Sequence, residues 1–158
     1  MRARLLLLGL LALISSSCVT PPGPAQRATD AARELNFATR FGRMDIALQL
    51  TANGARKSFL ERRTQWGKGV RVLDLELAGL SLKTPHDALV QVDVAWTRNE
   101  ESLLRTTRIA QTWRDEDEGG WQLVREQRVA GDLGLFGEHV EVVYSAPHDV
   151  QFPTKIIR

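Results

Sequence analysis

The chain has one cysteine, one tyrosine and three histidines in 158 residues, and its longest apolar run covers only residues 5 to 14. A single cysteine allows neither an internal disulfide nor a multi-cysteine zinc site. His86, His139 and His148 are not at metal-ligand spacing, which argues against a bound metal. An apolar run of about ten residues is half of the roughly 20 that cross a bilayer core. Neither a phosphate-cradling glycine loop nor a nucleophile elbow is present, so no cofactor is indicated.

The short apolar run has a meaning of its own. Arg2 and Arg4 precede it, and Ser15, Ser16 and Ser17 separate it from Cys18, the only cysteine. This is the layout of a cleaved secretion signal. Together these residues resemble a bacterial lipoprotein signal, with cleavage between Ser17 and Cys18; Ser15 stands where such signals usually carry Leu, Val or Ile. The resemblance implies that Cys18 is the first mature residue and carries acyl chains, its palmitate-type lipid being the membrane partner. Val19 follows the cysteine in place of Asp, which by the sorting rule of such proteins implies the outer membrane, facing the periplasm. Lipidation also explains a lone thiol in an oxidising compartment.

With residues 1–17 removed, Lys plus Arg falls from 21 to 19, equal to the 19 Asp plus Glu. A neutral, well-mixed chain lacks the field that nucleic acid binding needs, so no nucleic acid partner is expected. The segment VTPPGP, residues 19–24, reads as an extended tether, and residues 18–27 as the linker between lipid and domain.

From Ala25 to Trp66 the chain is rich in Ala, Leu, Arg and Glu without proline, which predicts two or three helices. Thr29 or Asp30 is the expected first cap, and Asp45 that of a helix over 46–51. A third helix over 55–65 is expected to bury Phe59 and Leu60 and to expose Arg62 and Arg63. Past Gly69 the period becomes two: Val90, Val92, Val94 and Trp96 alternate with Gln91, Asp93, Ala95 and Thr97. Strands are predicted over 70–82, 88–97, 103–114 and 121–129, the first with a bulge where Val70 and Val72 give way to Leu73, Leu75 and Leu77. The acidic run Asp115 to Glu118 with Gly119-Gly120 is read as a solvated turn.

Helices followed by about four antiparallel strands define an α+β class, with N-terminal helices packed on a strongly curved sheet. The order, and the stretch TTRIAQTWRDEDEGGWQLVRE (residues 106–126), resemble the nuclear-transport-factor-two-like and SnoaL-like cone domains. The resemblance spans residues 28–130 and implies a pocket between sheet and helices, and commonly a sheet that packs on a second copy. Residues 131–158 read as a loop with Leu133, Leu135 and Phe136, an edge strand near 140–144, and a tail.

Chemistry-bearing residues are sparse. Asp93 is the candidate pocket acid, with Arg108 on the neighbouring strand; on an enclosed face its pKa would be raised, and on an open face the pair is a cross-strand ion pair. Asp74 and Glu76 have the same two readings. Trp66, Trp96, Trp113 and Trp121 either fill the core or line an apolar pocket. The family's catalytic sets have no match here, so a non-enzymatic accessory or binding domain of the cell envelope is expected, with a protein partner or homodimer; an enzyme or a hydrophobic-ligand carrier is the alternative.

Overall fold

The computed structural model describes residues 21–140 except 100, 102 and 117–119. Helix α1 spans Pro24–Arg40, with Gly23 as N-cap and Pro24 in its first turn. Proline is pre-set for that position because its missing N–H is an orphan there anyway. The helix therefore begins before the expected Thr29 or Asp30 cap and takes in residues assigned to the tether. Ala28, Ala32, Leu35 and Ala38 are buried along one face, and their small side chains bring the helix close to the sheet. Gly42, at φ 71°, ends it, its N–H donating to the Thr39 carbonyl.

Helix α2 is Met44–Gln49, so Asp45 lies in its first turn, and a 3-10 turn over Asn53–Ala55 leads into α3, Arg56–Arg62. Leu60, expected inside, is 41% exposed. Arg63, expected in water, is buried, because the helix ends before it and its side chain turns inward.

Four strands follow: β1 Val70–Thr84, β2 Asp87–Arg98, β3 Arg105–Glu116 and β4 Gly120–Gly131. They form an antiparallel sheet in the order β1-β2-β3-β4. The class is thus α+β, helices first. Strand β1 shifts register against β2 at three places, Val72/Asp74, Leu77/Gly79 and Leu82/Thr84. Each extra residue restores the inward phase, so that Val72, Leu75, Leu77 and Leu80 all pack against the core. Asp115 and Glu116 belong to β3, and Asp115 pairs with Arg27 of α1 at 3.1 Å; this corrects the solvated-turn reading for those two residues.

The core lies between α1 to α3 and one face of the sheet. Val90, Val92, Val94, Trp96, Ile109 and Trp113 are each wholly buried there, with Leu35, Ala47 and Phe59 of the helices. At roughly 1.5–3 kcal/mol for each large apolar side chain withdrawn from water, this face dominates the stability of the domain.

Candidate functional site

Asp93 and Arg108 stand directly opposite each other in β2 and β3. Both lie on the sheet face turned away from the helices, because their neighbours Val92, Val94 and Ile109 take the inner face. The guanidinium donates twice to the carboxylate, Nε to Oδ1 and Nη2 to Oδ2, each at 2.6 Å. The Arg108 hydrogen bonds hold the Asp93 carboxyl below its usual range against a smaller opposing effect of desolvation. A base working near neutral pH needs the opposite shift. The two residues meet, but as an ion pair on the open face.

The other acids of that region are placed similarly. Asp87 accepts from Thr84 Oγ1 at 2.9 Å and from Arg114 Nε at 3.3 Å, and these bonds lower its pKa in that order. Asp74 takes Arg40 Nη1 at 2.8 Å, and Glu76 is exposed. His86 and His139 are exposed as well. Cys18, Ser17, Tyr144 and His148 lie outside the described residues.

The space beneath the sheet is filled. Trp96, Trp113 and Trp121 are buried in it, and Trp66 is half-buried at its rim, its Nε1 donating to the Leu135 carbonyl at 2.9 Å. Residues 131–138 fold across the end of the core: Leu135 is wholly buried, and the Glu138 carboxylate accepts the Gly134 and Phe136 amides at 3.0 and 2.9 Å. Gly131, at φ 83°, begins this crossing, and any Cβ there would collide with the Thr106 carbonyl.

Several polar groups inside are matched to one another, while Trp113 Nε1, Trp121 Nε1 and Arg63 Nε are buried without a hydrogen-bond partner. The amides of Asn36 and Gln111 exchange hydrogen bonds at 3.1 and 3.0 Å. Trp96 Nε1 donates to Thr107 Oγ1, which donates to the Asp132 carbonyl. Arg63 grips Glu126 with both Nη atoms, its Nη2 at 2.8 Å from Oε2, and stacks 3.6 Å over Phe59. Both members of that pair are 1% exposed. Sequence reasoning misses it because the extra residue Val124 in β4 reverses the alternation, carrying Glu126 to the side of Leu123.

An open apolar cleft lies between α1 and β1. Its volume is about 390 Å³, and Phe37, Leu75 and Leu77 line it with Arg33, Glu34 and Arg40. Arg40 spans the cleft to Asp74 Oδ1 and the Leu73 carbonyl. On its other side lies a second hollow of about 320 Å³ with Phe41, Met44, Trp66 and Val72. Phe37 and Phe41 are 63% and 59% exposed, their rings 4.7 Å apart. Helical spacing suggests both as core residues; instead the alanine face of α1 takes the sheet, and the two phenylalanines stand outside it. Among the described residues no cluster of three metal-ligating side chains and no helix able to cross a membrane is present.

No family model and no curated protein matches the chain. A solved structure, the solution structure of a SEC-C motif containing protein from Rhodopseudomonas palustris, is similar in fold. It aligns with a TM-score of 0.53 and 18% identity over 63% of this chain and 77% of that one. At that identity the likeness speaks for the fold alone.

Proposed function

We propose that this chain is a lipoprotein of the cell envelope, anchored through acylated Cys18 to the periplasmic face of the outer membrane, whose domain binds a partner without catalysing a reaction. The domain is proposed to be a nuclear-transport-factor-two-like cone; five register shifts along β1, β3 and β4 supply the local twist that a strongly curved sheet needs. The observation that carries the binding reading is the α1/β1 cleft. It is open and apolar, with the exposed Phe37 at its rim, and its charged members are Arg33, Arg40 and Glu34, with no enclosed acid–base pair. Exposed aromatics beside arginine are the composition of interface centres.

The test has two arms. Labelled palmitate should enter the protein in cells, and Cys18→Ser should abolish the label and release the chain from the membrane fraction; continued membrane association would overturn the anchor. A photocrosslinking residue at position 37 in intact envelopes should capture a protein, whereas the same residue at Gln91, on the outer sheet face, should not. The cleft volume also lies in the range of small-ligand pockets, which favours a hydrophobic-ligand carrier as the second reading. Crosslinking of position 37 to a lipid-sized adduct only would select it.

A further inference from the structure

Strand β1 is an edge strand, and from Leu75 to Thr84 no described backbone group outside β2 bonds to it. Which of its groups point outward follows from Val70. That residue is in register with Arg98 of β2, yet its N–H donates to the Gln65 carbonyl and its carbonyl accepts the Gly67 amide, both away from β2. In an antiparallel pair every second residue is turned this way. The register shifts keep the alternation in step with β2, so Leu75, Leu77, Leu80 and Leu82, which face Val94, Val92, Val90 and Ala88, share the orientation of Val70. The residues whose side chains turn inward are thus the ones that offer N–H and C=O groups at the open edge.

The surroundings of that edge set the chemistry of what can pair with it. Leu75, Leu77 and Leu80 are half-buried and Leu82 is 38% exposed, with Phe37 of α1 beside the first two. A lipid laid here would strip water from the backbone groups without replacing its hydrogen bonds, whereas an extended peptide replaces them. The lining charge also has a sign. Arg33, Arg40 and Arg71 line the cleft and the adjoining hollow against one acid, Glu34. Asp74 holds Arg40, while Arg33 and Arg71 have no acidic partner among the described residues. Arg33 stands two helical turns, or roughly 10 Å, back along α1 from Arg40. Phe37 therefore has an arginine on either side of it.

We propose that β1 recruits an extended segment of the partner protein as a fifth strand, bonded at Leu75 and Leu77, with apolar residues opposite these leucines and a carboxylate at each end, one toward Arg33 and one toward Arg40 and Arg71. The added strand is antiparallel, like every pair in this sheet. Residues directly opposite in such a pair share a face, so those bonded to the leucines turn their side chains inward beside Phe37. The ladder is short. Arg40 already holds the Leu73 carbonyl, and the register shift between Leu77 and Gly79 interrupts the run on the other side. Main-chain bonds supply the affinity and the alternate side chains the selection. The assignment rests on the reading of the cleft as a partner site and states how that site recognises its partner; it does not depend on the lipid anchor.

The full-length chain in phospholipid nanodiscs, titrated with three synthetic heptapeptides, tests it. The first peptide is Glu-Thr-Val-Thr-Val-Thr-Glu, the second has Lys in place of both Glu, and the third is the first with both Val nitrogens methylated. The first should bind at least about tenfold more tightly than either of the others, since each of those loses charge complementarity or two main-chain bonds. At saturation it should slow exchange of the Leu75 and Leu77 amides by about tenfold or more. Arg33→Glu should remove the preference for Glu over Lys while β3 amides stay slow, and Phe37→Ala should weaken the first peptide. Equal binding of the three peptides, binding that leaves the two leucine amides fast, or no binding at all would each overturn the assignment. Leucine amides already slow before any peptide is added would overturn it as well, in favour of a second copy if about a hundredfold dilution restores fast exchange, and of a segment of this chain if it does not. A protein crosslinked at position 37, with β1 amides indifferent to all three peptides, would sink this assignment and leave the binding reading standing.

Discussion

The two edges of the sheet are built differently. At β4, Leu123 donates its amide to the Leu50 carbonyl at 2.8 Å and accepts the Ala52 amide at 3.0 Å, so the segment after α2 pairs with that edge at one residue. Glu126 then fixes the same strand to α3 through Arg63. At β1 the ties are a local bridge from Trp66 to Val70 and the reach of Arg40 to Leu73 and Asp74. The β4 side is tied to the helices through Leu123 and Glu126, while its end from Gln127 to Gly131 is exposed; the β1 side keeps backbone and leucine in reach of an incoming chain. Only an open edge can recruit another strand.

Substitutions on the two sides should therefore differ sharply in cost. The largest loss is expected from Glu126→Ala, which leaves the Arg63 guanidinium buried without its counter-ion. Removing one partner of a buried pair costs about 3–5 kcal/mol, read as a lower urea midpoint. A loss below about 1 kcal/mol would show that the β4 side is no more fixed than the other.

The contrast sharpens within α1. Leu35→Ala empties a wholly buried site and should cost about 2–5 kcal/mol. Phe37→Ala, two residues on, should change stability by no more than about 0.5 kcal/mol while weakening any crosslinking at the cleft. Equal losses would mean that Phe37 is core and the cleft closed.

The smallest effect belongs to the outer face. Asp93 has its pKa lowered in the folded state, so the Arg108 pair contributes stability that is complete above the unfolded value and is lost as pH falls through the folded one. Asp93→Asn should leave thermal stability at pH 7 nearly unchanged and flatten its decline below about pH 4, where an unperturbed Asp titrates. A large loss at pH 7 would restore this pair to a central role.

The sheet was the legible part of this chain. Alternation over Val90 to Trp96 and the phase slip at Leu73 are direct imprints of one buried face, and both appear as β2 and as the first bulge of β1. The helices were less so, because alanine carries little hydrophobic contrast: the buried face of α1 is written in Ala28, Ala32 and Ala38, while the louder Phe37 and Phe41 point outward. The inward turn of Glu126 depends on a bulge at Val124 that leaves no pattern of its own. The cleft was illegible for a related reason. It arises from where α1 stops covering β1, a matter of helix placement that no single segment records.

Arg40 lines both hollows on the β1 side, and its side chain stands between them as a partition. A guest short enough for one compartment leaves that arginine in place; a longer one must take over the bonds to Asp74 and the Leu73 carbonyl, and so must bring a donor of its own. One guanidinium thereby turns a greasy trough into a gauge of length.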